Sequence, residues 1–180
     1  MSGPEHLGMP STWFQWHAGV IAPGVRVLDI ACGSGRHAIA AAQRGAKVIG
    51  VDFDDAALEQ ADQAAKKARL PIEWMRRDLS GDPLPEGPFD LVMMFNYLDR
   101  ARMSMFLDAV RPGGYFMAET FSEQQRELGW GPTSDEHLLK PCELWTLVLP
   151  FEIVLAREVI EMLDGRPMAV GSILARRPSA

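Results

Sequence analysis

The 180-residue sequence predicts an α/β fold around a mostly parallel sheet, and three features carry that prediction. From Val25 to about Arg111, short β-favouring runs alternate with helical stretches, as when right-handed crossovers cover a parallel sheet on both faces. The first run, VRVLDI at 25–30, is continuous, the mark of a strand buried on both faces. The end of the chain changes character. Two β-rich runs, 151–163 and 168–176, are joined by Asp164-Gly165-Arg166-Pro167 and read as an antiparallel hairpin.

The elements follow in order. RHAIAAAQR at 36–44 is an Ala-rich helix that Gly45 ends, and KVIGV at 47–51 is the second strand. Asp54 caps the next helix. Asp55 and Glu59 lie near its start and Lys66, Lys67 and Arg69 near its end, an order that suits the helix macrodipole; Pro71 stops it. IEWMR at 72–76 is a short third strand, LSGDPLPEGP at 79–88 a turn-rich connection, and FDLVMMF at 89–95 a fourth strand. A helix over about 100–110 puts Met103, Phe106, Leu107 and Val110 on one face. Pro112-Gly113-Gly114 then turns into a fifth strand at 115–121. The stretch 122–140 is polar and reads as irregular. Pro141 is expected at the first position of a short helix, CELWTLVL. Trp13, Phe14 and Trp16 make the first 20 residues too apolar for a free tail, so a helix packed across the sheet edge is expected there.

Bulk properties narrow the function. At roughly 100–200 residues per domain, residues 1–180 are read as a single domain, long enough to bury about 70% of its unfolded surface. With 18 Lys+Arg against 24 Asp+Glu the net charge is −6, which argues against binding nucleic acid through bulk charge. Two cysteines, Cys32 and Cys142, are too few for a disulfide framework or a structural zinc site, and no metal is expected. No apolar run approaches the ~18 residues of a membrane span. The N-terminal residues lack the basic and apolar regions of a signal peptide, so a cytoplasmic location is expected.

The chemically informative segment is VRVLDIACGSGRHA, 25–38. A buried strand ends in an acid, Asp29, and runs through Ala31, Cys32, Gly33, Ser34 and Gly35 into a helix. The glycines allow a tight turn and close approach of a ligand, and the helix start offers free N–H groups. Gly33-x-Gly35-x-x-Ala38 is the spacing of a dinucleotide turn. Asp52 ends the second strand 23 residues after Asp29, where a carboxylate holds a ribose diol. Asp29 favours a cationic ammonium or sulfonium ligand over a pyrophosphate, which a nearby carboxylate repels. Each acid has a plainer reading: Asp29 as a cap of the following helix, Asp52 as a cap of the helix at Asp54.

VLDIACGSGRHA resembles the first motif of class I S-adenosylmethionine-dependent methyltransferases, acid-x-Gly-x-Gly-x-Gly. Asp29, Gly33 and Gly35 match, and Ala31 stands at the first glycine. The resemblance continues over roughly Val25 to Phe121. It implies that Asp52 binds both ribose hydroxyls and that Phe53 lies against the adenine. It also implies that Asp78 accepts from the adenine amino group with Leu79 beside it. Cys32 and Arg36 of the turn, and Phe95 of FDLVMMFNYL, complete the implied cofactor-binding set. More narrowly, GRHA, NYL, RPGG with ETF, and LLKPCEL resemble small bacterial methyltransferases related to tellurite-resistance enzymes, although Pro141-Cys142-Glu143-Leu144 replaces their usual Pro-Gly-Glu-Leu. The fold so implied is a Rossmann-like three-layer sandwich with a seven-stranded, mostly parallel sheet and a C-terminal antiparallel hairpin.

The implied reaction moves the methyl group of S-adenosylmethionine to an acceptor by in-line displacement, leaving S-adenosylhomocysteine. Such an enzyme chiefly aligns the acceptor and excludes water; lone-pair acceptors such as thiolates or metalloid anions need no general base. Ligands of open α/β sheets lie beyond the carboxyl ends of the strands, so Asn96 and Tyr97 are the candidate catalytic residues and 119–122 should also face the acceptor. Tyr97 has the alternative of packing on the next helix, and Glu119 of pairing with a cation. His37 and His137 read as structural or solvated. Cys32 reads as small-residue packing in a turn where helix starts lower thiol pKa. Met93, Met94, Met103 and Met105 read as core, and Trp13 with Trp16 as a packed lid. Trp130, between Gly129 and Gly131, is either a swinging aromatic over the acceptor or a fixed packing residue. A small-molecule acceptor is expected, with no nucleic acid or membrane partner, in a monomer or homodimer. An NAD(P)-dependent oxidoreductase and a non-catalytic cofactor-binding module are the alternatives.

Overall fold

The computed structural model describes residues 8–163 and 165–179. Two compact units divide the chain, residues 1–85 and 86–180.

In the first unit, helix α1 (Thr12–His17) is capped by the Ser11 hydroxyl, which accepts from the Phe14 N–H at 3.2 Å. Trp13 and Phe14 are buried, whereas Trp16 is 65% exposed, so the two tryptophans do not form one packed cluster. Three parallel strands, β1 (Arg26–Ile30), β2 (Lys47–Asp52) and β3 (Ile72–Arg76), alternate with α2 (Arg36–Gln43) and α3 (Asp55–Lys67). Val27, Leu28 and Ile30 are fully buried, as the unbroken apolar run requires. The sequence places the N-terminal helix across a sheet edge, but its anchor is α2. The Ser11 backbone N–H donates to His37 Nε2 at 3.1 Å, and the Phe14 ring lies 5.5 Å from the imidazole. Burial, reinforced by the Arg36 charge, holds the His37 pKa well below its ordinary value, so the ring stays neutral and keeps its acceptor lone pair. His37 is thus a structural residue. Asp54 caps α3 by accepting from the Ala56 and Ala57 N–H groups. The helix stops at Lys67, before Pro71 is reached, because Arg69 takes a left-handed conformation.

In the second unit, β4 (Phe89–Phe95) pairs in parallel with β5 (Val110–Phe121). The helix expected over 100–110 is shorter and in two parts. A 3₁₀ turn at Arg100–Arg102 is held by Asp99 accepting from the Arg102 N–H, and α4 (Met103–Asp108) follows. Val110 belongs to the strand. A register shift between Phe89 and Leu91 admits the Pro-Gly-Gly sequence into β5, where a turn was expected. Met93, Met94 and Met103 are core residues, while Met105 is half-buried.

The stretch 122–140 is more ordered than its polarity suggests. It holds 3₁₀ turns at Glu123–Leu128 and Asp135–His137, and Ser122 bridges to Leu139. Next comes α5 (Glu143–Leu147), whose cap is the left-handed Cys142; Pro141 lies outside the helix and not at its first position. Two long strands, β6 (Glu152–Leu163) and β7 (Arg166–Arg176), form the antiparallel hairpin, and β7 pairs antiparallel with β5. The strands of the first unit lie in the order β3-β2-β1 and those of the second in the order β4-β5-β7-β6, seven strands that are mostly parallel with an antiparallel C-terminal hairpin. Among the described residues no helix is long and apolar enough to cross a membrane.

Trp130 is fixed at three points. Its indole N–H donates to the Pro167 carbonyl at 2.7 Å, and its ring stands edge-on to Phe121 at 6.0 Å. Its own carbonyl accepts from Gln125 Nε2 at 2.8 Å, and the buried Gln125 in turn accepts the Ala169 N–H. These contacts favour the packed reading over the swinging one. Trp130→Ala should lower stability by about 3 kcal/mol, read as a shifted denaturant midpoint at constant slope. A midpoint unchanged within error would show that the tryptophan is not structural.

Candidate functional site

The strongest candidate site lies in the first unit, at the carboxyl ends of β1 and β2. Three of the five residues from 31 to 35 are left-handed: Ala31 (φ 51°), Gly33 (φ 52°) and Gly35 (φ 81°). The Cys32 N–H donates to the Val51 carbonyl, and the Gly35 N–H to the Cys32 carbonyl, so the turn is pinned to β2. The two glycines serve different needs. A Cβ on Gly33 would meet nothing within 4 Å among the described residues, so the backbone there borders open space. A Cβ on Gly35 would lie 2.6 Å from the Trp74 ring and 3.0 Å from the Ala61 Cβ. Gly35 is therefore a packing requirement, whereas the sequence reading gave both glycines to the ligand. Trp74, on β3, was not singled out from sequence at all. The helix α2 starts at Arg36 with no side-chain cap, leaving N–H groups of its first turn directed past the turn.

Two carboxylates frame this turn. Asp52 Oδ2 accepts the Gly33 N–H at 2.7 Å, and its Oδ1 accepts the Asp54 N–H at 3.0 Å. The cap of α3 is Asp54, so the plainer reading of Asp52 as that cap does not hold; Asp52 ties the glycine turn to the end of β2. Each of its oxygens keeps a further lone pair for a hydroxyl donor. Asp29 is 1% exposed, and its Oδ2 has no hydrogen-bond partner among the described residues. Burial pushes its carboxyl up to about 7, and the Asp52 charge adds to this; the Ala38 backbone N–H and the Arg36 guanidinium pull the other way. An orphaned buried carboxylate oxygen is costly unless a donor arrives from outside the chain.

The other residues expected to bind cofactor are placed as follows. Phe53, directly after Asp52, is 68% exposed, an aromatic face held in solvent. Asp78 is exposed and accepts from the Ser80 N–H and hydroxyl through Oδ1, while Leu79 is buried. Cys32 is buried, and burial with the Asp29 and Asp52 charges pushes its thiol up. The expected lowering by the helix start does not occur, and Cys32 acts as packing.

In the second unit, Phe95 is buried at the end of β4, and Asn96 follows exposed with φ 54°. The Asn96 N–H donates to the Glu119 carbonyl at 2.8 Å. Tyr97 is half-buried with its ring 6.4 Å from Phe106 on α4, and its hydroxyl donates to Asp99 Oδ2 at 3.4 Å. It thus packs on the next helix while keeping a polar tip. Glu119 is buried and accepts from Ser172 Oγ at 2.6 Å and Arg157 Nη2 at 3.0 Å, the cation-pairing alternative. His137 is exposed beside Glu136. Among the described residues no group of three or more His, Cys, Asp or Glu is placed to hold a metal.

The turn yields two predictions. A non-glycine residue in the left-handed region costs roughly 1–2 kcal/mol, so Ala31→Gly should raise the melting temperature by a few degrees; a lowered temperature would contradict the strain. The raised Asp29 pKa makes the unliganded protein less stable as pH rises from the unfolded value near 3.8 towards 7, because the folded state resists ionisation. Asp29→Asn should therefore stabilise the unliganded protein at pH 8 by about 2–4 kcal/mol and hardly at all at pH 4. Equal effects at both pH values would refute the buried-carboxyl argument.

Residues 27–114 match the family model described as a methyltransferase domain. A ribosomal protein L11 methyltransferase of Thermus thermophilus is 38% identical over 96 residues, covering 52% of this chain but only 37% of that relative. A methyltransferase structure from Methanosarcina mazei superposes with a TM-score of 0.72 at 21% identity, covering 91% of this chain and 97% of that one. TehB of Haemophilus influenzae superposes with a TM-score of 0.75 at 20% identity, covering 89% and 59%. At those identities the two structures establish the fold, the Rossmann-like one expected. The matched segment, just under half of the chain, holds the Asp29 turn, Asp52, Asp78 and the β4 motif in the order in which class I S-adenosylmethionine-dependent methyltransferases carry them, and over that segment the chain is similar to a methyltransferase domain.

Proposed function

We propose that this protein transfers the methyl group of S-adenosylmethionine to a small-molecule acceptor, with the turn at 29–35 and Asp52 as the cofactor site. The observation that carries the reading is the orphaned Oδ2 of buried Asp29, at the end of the strand that leads into a turn whose Gly33 has room for a ligand among the described residues. That oxygen suits the ammonium of an amino-acid moiety. The remaining lone pairs of Asp52 suit a ribose diol, and exposed Phe53 suits an adenine face. When bound, S-adenosylmethionine supplies a methyl already activated on a sulfonium. The residues here need only bind, orient and exclude water. A dinucleotide would bring its pyrophosphate to the same carboxylate, which disfavours the oxidoreductase alternative.

On the acceptor side, Asn96 and Tyr97 offer an amide and a hydroxyl for orientation. Glu119 is committed to Arg157 and Ser172, which supports an acceptor that brings its own lone pair, such as a thiolate or a metalloid anion. The net charge of −6 disfavours a nucleic-acid acceptor. Reduced cysteines at 32 and 142 suit a cytoplasmic setting. A protein acceptor is the second reading, favoured by the ribosomal-protein methyltransferases among the relatives, of which this chain spans about a third.

Titration calorimetry should show S-adenosylhomocysteine binding at micromolar concentration and NAD barely. Because the ammonium ligand favours ionised Asp29, affinity should rise with pH through about 7. Asp52→Ala should weaken binding at least tenfold while unfolding stays cooperative, since a charge-assisted hydrogen bond contributes about 1.5–3 kcal/mol. Preference for NAD would overturn the cofactor assignment. Incubation of cell extract with methyl-labelled S-adenosylmethionine then decides the acceptor: label in the small-molecule fraction supports the proposal, and label in a protein band establishes the second reading.

A further inference from the structure

The edge of the sheet formed by β6 is built for a partner. The strand runs for 12 residues, pairs with β7 on one side and ends the strand order on the other. Long apolar edges are normally blunted by Lys, Pro, short length or bulges. The β6 sequence, EIVLAREVIEML, contains neither Lys nor Pro, and its register irregularity lies at one end, between Ile153 and Leu155. Ile153, Val154, Leu155, Ile160 and Met162 are exposed by 43–65%.

We propose that β6 pairs with β6 of a second copy of this chain, antiparallel about a two-fold axis at Val159, to form a continuous sheet across a homodimer. Charge selects both the occupant and the register. Directly opposed residues in a two-fold antiparallel pair share a sheet face, so the registers differ by steps of one residue in the self-opposed position. Centring on Arg157, Glu158 or Glu161 opposes like charges. Centring on Ile160 sets Arg157 against Leu163 and Glu161 against Val159. Centring on Val159 sets Arg157 against Glu161 of the other copy, twice, and Leu155 against Leu163, twice. The same centring sets Met162 against Ala156 and Glu158 against Ile160, so its advantage rests on the Arg157–Glu161 and Leu155–Leu163 pairs. Arg157 and Glu161 already pair within the strand at 3.0 Å with their side chains mostly buried, so a second pair closes a four-residue charge network on one face. Opposite charges and apolar pairs placed directly across strands are the stabilising units of a sheet, and like charges are destabilising.

Sedimentation at micromolar concentration should give a dimer, and Val159→Glu, which opposes two carboxylates at the axis, should give a monomer with an unchanged circular dichroism spectrum. The register is tested in a Cys142→Ser background. Opposed Cα atoms lie about 4.5–5.5 Å apart, within disulfide reach, so Val159→Cys should form a covalent dimer on mild oxidation while Ala156→Cys should not. A monomeric wild-type protein would overturn the proposal, as would a dimer in which Ala156→Cys cross-links as readily as Val159→Cys.

Discussion

The Asp52 carboxylate sets the geometry on which the candidate site depends. By accepting the Gly33 and Asp54 backbone N–H groups together, it binds the turn after β1 to the end of β2 and to the entry of α3. A turn with three left-handed residues in five is conformationally expensive, and one of the three is the alanine at 31. The tie to Asp52, the Cys32-to-Val51 backbone bond and the Trp74 ring against Gly35 hold it in that shape. Asp29 is a consequence of the same arrangement. A turn this tight closes over the end of β1 and strips water from a carboxylate whose second oxygen has no donor among the described residues.

The second unit is organised by buried or shielded arginines. Arg157 reaches Glu119 and Glu161 from β6, with Ser172 of β7 completing the Glu119 pair. Arg100 binds both oxygens of Glu143 and the carbonyls of Asp135, Glu136 and Leu138. A buried ion pair adds little net stability, because desolvation offsets much of the attraction, but removing one partner strands a charge. These arginines therefore specify positions. Arg157 fixes where the hairpin meets β5, and Arg100 fixes where the stretch after β5 lies. Arg157 and the glutamates beside it leave a charge pattern along the edge of β6 that opposes like charges in several of the ways the strand could pair with itself.

The elements legible in the sequence were those in which one local rule was sufficient. The unbroken run at β1, the alternation of strands and helices, Asp54 as a cap and the β6–β7 hairpin each follow from periodicity or from one residue's backbone preference, and the structure has them. The order of acids and glycines from Asp29 to Asp78 was legible in the same way, since the motif is local in sequence. Composition misled where polar residues do structural work: the stretch 122–140 is held by a buried Gln125 and a backbone-bonded Trp130, and nothing in a list of Glu, Gln and Gly distinguishes that from a loose loop. The Pro-Gly-Gly at the start of β5 gave a turn signal that sheet pairing overrode.

By itself the sequence determined the fold class, the strand order along the chain and which carboxylates end which strands, because these rest on near-neighbour patterns. Only the tertiary structure decided how those groups behave. Among the described residues Gly33 borders open space while Gly35 makes room for Trp74 and Ala61, neighbours that lie 39 and 26 residues away in sequence. Asp29 titrates near 7 and Cys32 is pushed up, because burial depends on what the whole unit places around a residue. His37 stays neutral and holds α1, Glu119 is claimed by Arg157, and β6 is left as an edge for the same reason: long-range packing assigns the solvent and the partners, and those set the energetic cost of a charge or a bare backbone.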